Sequence, residues 1–411
     1  MRRRNAAIFG LGASVLGIAT VLFGFWGRFV LGSSAIWTAG DGWNVIHPAR
    51  FVASGAYPYL YSPYFAKQAR WPYPPGLPVL FAPVAWLIDR LGLSVSEPPL
   101  ILPRATGWFV LAPALVFVGA VLAPAVAALA RRLGARCDIS TGLLAATVGG
   151  FSAAILYGHA EDLVAVTALV GAVGAALDAR WRRVGVLLGV AMLFKQWAFV
   201  LVPLLLSAAP SAMRRGLLLR AVVVPGAPIL VCVLYDPGNT VRALTGAQSA
   251  VGLGHAFPWI PSSSALVTAA PLRVLGLVVL AVLGWCWGRR CRGAALVAAA
   301  GGLMALRLLT EPVLFSYYLA QIAPFVLVVT AVRTSRAMVW AQGLGLAALS
   351  LWFAQHPSAW VWWPVAAALA SPSAVVLLQA RRAVEPTASS GAQDTTDVES
   401  CVEPTPAGSV S

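Results

Sequence analysis

The chain has 411 residues, 59% of them hydrophobic and only 10% charged, with a mean hydropathy of +0.80. A soluble domain is about 45–50% apolar and about 25% charged, so a water-soluble globular enzyme is excluded. Formal net charge is +15. The arginines sit in short clusters between apolar runs, as the positive-inside rule places them, and no basic stripe interleaved with aromatics exists to bind nucleic acid. The composition predicts an all-α polytopic membrane protein, resident in a bacterial cell membrane. A strong preference for Arg over Lys fits a GC-rich genome, and only Lys67 and Lys195 of the 29 basic residues are lysine.

Met1 to Asn5 is basic and precedes an apolar run from Ala6 to about Leu31. That run is too long for the apolar part of a signal peptide and is expected as a retained first helix with its N-terminus inside. Residues 32–103 break the pattern with Pro, Tyr, Trp and scattered charges. Within them Pro74 to Leu91 is apolar but short. If it crossed the bilayer, every later basic cluster would fall outside. If it lies in the interface as an amphipathic helix, they fall inside. Six clusters, from Arg131/Arg132/Arg136 to Arg381/Arg382, decide for a long first external loop.

Further apolar runs follow at 104–130, 139–157, 162–178, 184–194, 197–209, 217–235, 264–287, 293–309, 315–332, 337–355 and 360–379. With the first helix they predict about twelve spans and cytoplasmic termini. The two arms around Lys195 are each about half a normal span, which predicts a short hairpin or a broken helix among its neighbours. Residues 1–382 thus form a transmembrane domain, and 383–411, polar and acidic, a disordered cytoplasmic tail. The five cysteines have no CxxC spacing and imply neither a disulfide framework nor a zinc site.

Sorting charges by side leaves the outer edge with Asp41, Arg104, His159, Glu161, Asp162, Lys195, His255 and Glu311, besides Tyr73, Tyr317 and Tyr318. Ionisable groups at the edge of a helix bundle are costly unless paired or used, so the one-sided clustering predicts a cavity opening outward. Asp41 reads either as a helix-start cap or as a general base. Tyr73, before Pro74 and Pro75, suits the interface or the wall of a sugar pocket. His159, Glu161 and Asp162 share one short turn, either hydrated or substrate-binding. A metal there has no second spaced carboxylate set to support it, and no cofactor is expected.

Lys195 lies far from any arginine cluster. Its ammonium would hold a phosphate and stabilise a phosphate leaving group, or else pair with Glu161 or Asp162. Arg104 is a second phosphate candidate or an interfacial residue. His255, Tyr317 and Tyr318 could bind sugar hydroxyls. No P-loop, GxSxG or HExxH pattern is present.

Asp41, Gly55-Ala56-Tyr57-Pro58-Tyr59 and Trp71-Pro72-Tyr73-Pro74-Pro75 resemble the first-loop signature of glycosyltransferase family 87. Gly158, then Gly185 to Lys195, is similar to the family's second block, and Tyr317-Tyr318 to a later one. The resemblance covers roughly residues 8–335. It implies a GT-C fold and transfer of mannose from a polyprenyl-phosphate donor to a glycolipid or glycan acceptor of an actinobacterial envelope, with inversion. It also implies Asp41 as the base, with Lys195 near the lipid phosphate. Many members carry Gly-Gln-x-Asn where this chain has Gly158-His159-Ala160-Glu161. An arabinosyl donor, a lipid or sugar transporter or flippase, and a non-catalytic assembly partner are the other readings.

Overall fold

The computed structural model describes residues 2–30, 42–56, 58–59, 73–95, 106–245, 265–309, 316–355, 367, 371 and 373–379. Among them every regular element is helical. The order begins with α1 (Arg2–Val30), α2 (Gly42–Ala53), α3 (Gly76–Arg90), α4 (Trp108–Arg132) and α5 (Asp138–Gly149), which continues as a π-helical segment, Gly150–Leu156. It goes on through α6 (Ala160–Leu177), α7 (Trp181–Phe194), a 3-10 segment at Gln196–Leu201, α8 (Val202–Ala208), α9 (Ser211–Tyr235) and α10 (Pro237–Thr245). The last elements are α11 (Ala265–Arg290), α12 (Ala294–Leu309), a 3-10 turn at Ser316–Tyr318, α13 (Leu319–Arg333) and α14 (Arg336–Gln355). Residues 373–379 are also helical.

Five helical stretches among the described residues are long and apolar enough to cross a membrane: Arg3–Leu22, Trp108–Arg132, Asp138–Ile155, Ala160–Leu177 and Ser211–Tyr235. Three shorter apolar helices, Gln196–Ala208, Ala294–Leu308 and Leu319–Arg333, accompany them. Burial sorts the helices into centre and rim. Every residue from Leu319 to Ala331 of α13 is buried, as expected of a helix apolar on all sides. By contrast, α9 exposes Leu219, Val223, Val231 and Leu234, and α11 exposes Val274, Leu275 and Val282. Rim helices with apolar outer faces are compatible with insertion in lipid.

The ends of the bundle differ in charge. Asp138, at the start of α5, accepts hydrogen bonds from Arg4 at 2.8 Å and from Arg131 at 2.9 Å, so the N-terminus of α1 and the C-terminus of α4 share one end. Arg132 pairs with Asp178, after α6, at 3.2 Å. Arg214 and Arg289 both stack on Trp285, near the start of α9 and the end of α11. Trp181 and Ala208 line one cavity with Arg132 and Arg292 at this same end. Since α7 leaves this end and α8 returns to it, Lys195 is the tip of a hairpin. That resolves the two half-length arms. At 1.5 Å per residue α7 spans about 21 Å, short of the ~30 Å of a hydrocarbon core, so the tip stops inside the bundle.

Helix α3 packs one face, Leu77, Phe81, Ala85 and Ile88, against the protein. Its opposite face is Val79, Leu80, Trp86 and Leu87, also apolar and exposed. The polar outer face of an amphipathic interfacial helix is therefore confined to Asp89 and Arg90 at its last turn, and Asp89 pairs with Arg50 of α2 at 2.8 Å. Fifteen residues give about 22 Å of length, again less than a span. The tail at 383–411 and, within the segment 32–103, residues 32–41, 57, 60–72 and 96–103 lie outside the described residues.

Candidate functional site

The end of the bundle away from the paired arginines carries a buried polar cluster. It is built from five chain segments, and the backbone explains how its charged side chains arrive there. The π-helical segment 150–156 widens the end of α5 and runs into Gly158, whose φ of +83° is a left-handed conformation that suits glycine. His159 N–H bonds back to the Ala153 carbonyl at 2.7 Å, which closes the turn and starts α6. Glu161 and Asp162 thus fall in the first turn of α6, where the helix dipole favours negative charge. Both are completely buried.

Lys195 is extended (φ −146°, ψ 121°) between α7 and the 3-10 segment, so the hairpin tip points its side chain at α6. Its ammonium lies 2.9 Å from Glu161 Oε1 and 3.1 Å from Asp162 Oδ2. The first contact is a hydrogen bond and the second an ion pair without hydrogen-bond geometry. The ion pair weighed against a phosphate role for Lys195 is formed, and with both carboxylates. The Tyr73 ring covers the same ammonium, centroid 3.3 Å from Nζ. Tyr73 is fixed by Tyr59, whose hydroxyl donates to the Tyr73 carbonyl at 2.8 Å.

His159 Nδ1 is 2.6 Å from Glu161 Oε1. An ionised carboxylate can only accept, so Nδ1 carries the proton. The imidazole lies against Tyr317, with ring centroids 4.3 Å apart, and Tyr317 contacts Tyr157 at 5.3 Å and Tyr318 at 4.6 Å. Glu161 Oε2 is buried with no hydrogen-bond partner among the described residues.

Three members carry no expectation from the sequence. Trp197 Nε1 donates to Asp162 Oδ1 at 2.8 Å, and Gln321 Nε2 donates to the same oxygen at 3.0 Å. Arg307 Nη1 donates to Gln321 Oε1 at 2.7 Å, and its guanidinium stacks on Trp197 and Tyr318. Arg307 is 6% exposed. The cluster therefore sets two anions against two cations, which is how buried charge becomes tolerable. A lone cation inside the apolar run 293–309 was the signal for Arg307.

Of the residues expected at the site, the fold brings together Tyr73, His159, Glu161, Asp162, Lys195, Tyr317 and Tyr318. Asp41, Arg104 and His255 lie outside the described residues. The donor atoms of His159, Glu161 and Asp162 fall within 4.8 Å of one another, a spacing a metal ion could use. Lys195 Nζ already sits on both carboxylates, so the ammonium takes the place a cation would fill. Chemically, the arrangement offers an aromatic wall, a fixed imidazole and a neutralised charge cluster.

No protein-family model matches the chain, and no curated protein matches it. What the fold and site define is an all-helical protein whose long apolar helices suit a membrane and whose one end holds a buried, charge-balanced, aromatic-walled cluster.

Proposed function

We infer that the chain is an integral-membrane glycosyltransferase of GT-C type, with about twelve spans, cytoplasmic termini and a site facing outward. It moves a sugar, mannose in this reading, from a polyprenyl-phosphate donor to a hydroxyl of an envelope glycolipid or glycan. One observation carries the reading. The three sequence blocks behind the resemblance are far apart in the chain, yet Tyr73, Lys195 and Tyr317 from those blocks converge on the turn after Gly158: Lys195 meets the Tyr73 ring and Glu161, and His159, where the chain departs from the family, links Glu161 to Tyr317. Convergence of that kind is what a substrate site built from separate motifs requires. The orientation follows from the arginine-bearing end, which the positive-inside rule assigns to the cytoplasm and which lies opposite the cluster.

In this mechanism Asp41 takes the proton of the acceptor hydroxyl, and in-line attack inverts the anomeric centre. Tyr73, Tyr317 and His159 wall the sugar, with His255 as a further hydroxyl contact. Lys195 and Arg104 serve the departing phosphate. Lys195 does so only by exchanging a carboxylate for the phosphate, because both its carboxylate partners are in place beforehand. Glu161 and Asp162 fix that ammonium.

A transporter or flippase is the second reading, favoured by the two irregular segments beside the charges. The π-helical stretch 150–156 and the break at Lys195 flank the cluster, as interrupted helices flank the sites of transporters. Purified protein in lipid, given radiolabelled polyprenyl-phosphate-mannose and an envelope glycolipid extract, separates the two. Sugar transfer by wild type that is lost in folded Asp41→Asn supports the transferase. Movement of the labelled lipid across the bilayer without transfer supports the transporter.

A further inference from the structure

At the arginine-bearing end, away from the cluster, two cavities of about 410 and 300 Å³ share Arg132 and Asp178 as a common wall. The first adds Arg292 and Trp181 to that wall, and the second adds Arg183. Three guanidinium groups thus face one carboxylate, and Arg180, 3.8 Å from Asp178, stands just beyond. Asp178 holds Arg132 by Nε alone, at 3.2 Å. Arg292 spends its Nη1 on the Gly288 and Cys291 carbonyls, both at 2.8 Å, which anchors it without neutralising it. The smaller cavity continues up the bundle as an apolar groove between α4, α6 and α7. Room for this groove comes from the small side chains of Ala125, Ala128, Gly171 and Ala175.

We propose that this paired cavity binds an anionic phospholipid, its phosphate on Arg132, Arg183 and Arg292 and one acyl chain along the small-residue groove. Excess positive charge at the mouth matches a phosphodiester, and the apolar groove beside it matches a hydrocarbon chain, a combination that soluble phosphate does not need. Basic pockets between helices at the cytoplasmic side are where such headgroups settle, and Trp181, an aromatic of the kind enriched at interfaces, lines this one at the start of α7. The site is separate from the proposed catalytic cluster and does not depend on what that cluster does.

The test uses the full chain in detergent micelles, with bound lipid counted by native mass spectrometry. Phosphatidylglycerol, phosphatidylcholine with the same acyl chains and inorganic phosphate are added separately and in competition. The expected result is retention of phosphatidylglycerol at least about tenfold above phosphatidylcholine, undisturbed by millimolar phosphate. Arg183→Gln should weaken it about fivefold, the worth of one basic residue at an anionic headgroup. Ala128→Leu, which leaves every charge in place, should weaken it by filling the groove. Equal binding of the two lipids, displacement by inorganic phosphate, or unchanged binding in both variants would each overturn the proposal. Arg183 has no ion-pair partner among the described residues and Ala128 is half-buried, so thermal unfolding at wild-type temperature certifies both variants.

Discussion

The ammonium of Lys195 lies 3.3 Å from the centre of the Tyr73 ring, which joins the first-loop segment to the tip of the α7–α8 hairpin. A lysine that also touches two carboxylates is fixed in three directions, so the ring is not a casual neighbour. A cation–π contact shielded from water is worth about 2 kcal/mol, enough to matter in placing a loop. The position of α3, directly after Tyr73, is set by that contact and by one close backbone approach.

That approach is at Gly76. A Cβ there would lie 2.6 Å from the Leu193 carbonyl oxygen in α7, a backbone atom that cannot rotate away. Gly76→Ala should push α3 off α7, cost about 1–3 kcal/mol and draw Tyr73 away from Lys195. Thermal unfolding in detergent should show the loss, and the transfer assay should show reduced turnover. Gly10→Ala in α1, where nothing lies within 4 Å of the added carbon, is the control and should be neutral or slightly stabilising. Equal behaviour of the two variants would remove the argument for a tight α3–α7 contact.

Lys195 and Glu161 should be strongly coupled. Lys195→Met leaves Glu161 and Asp162 buried against Arg307 alone, and Glu161→Gln leaves the ammonium with one carboxylate fewer. Breaking one partner of a buried pair costs about 3–5 kcal/mol, whereas removing both leaves Asp162 and Arg307 in balance. The double variant Lys195→Met/Glu161→Gln should therefore lose much less than the sum of the single losses. A double-mutant cycle from denaturant unfolding gives the coupling directly, and simple additivity would mean the charges are screened from each other.

Much of this architecture was legible from hydropathy and charge. The apolar runs are helical where they fall among the described residues, and the arginine clusters around Arg132, Arg180 and Arg292 come together at one end because lipid-compatible helices alternate direction between short turns. The turn at Gly158–Asp162 and the isolated Lys195 stood out as charges that topology did not explain, and they meet. Arg307 carries a signal as a lone cation in an apolar run, but Gln321 is one neutral polar residue in an apolar helix, and only the packing of α12 and α13 against α6 gives either a partner. Trp197 reads as an interface aromatic until its indole is seen bonded to Asp162. Helix α3 is short, as its apolar run is, but which of its apolar faces meets protein is set by packing that the run alone does not encode.

Trp197 offers a single-atom probe of the cluster. Its Nε1–H supplies one of the two neutral hydrogen bonds to Asp162 Oδ1, the other coming from Gln321. Trp197→Phe keeps a ring beside Arg307 but deletes that donor, leaving a buried carboxylate oxygen short of a partner. Hydrogen bonds to charged groups are worth about 1.5–3 kcal/mol, and a loss in that range is expected on unfolding in denaturant. Asp162→Asn combined with Trp197→Phe should cost less than the two single losses added, because both changes act on the same buried oxygen.

The α2–α3 pair should weaken in acid through His47. Burial, and then the positive charge of Arg50, lower the His47 pKa below its ordinary 6.5. The folded chain therefore holds this proton less tightly than the unfolded chain does. Its stabilising contribution is complete above about pH 6.5 and is lost as the pH falls through the lowered folded value. Protonation sets the imidazolium against Arg50, which Asp89 engages at 2.8 Å, and puts charge beside the Phe51 ring, whose centroid is 4.9 Å away edge-on. Hydrogen–deuterium exchange, compared at about pH 7.5 and about pH 5 after correction for intrinsic rates, should show faster opening of α2 and α3 at the lower value while α13 is unchanged. His47→Gln should flatten that difference. A pH effect of the same size in the variant would show that His47 is not its source.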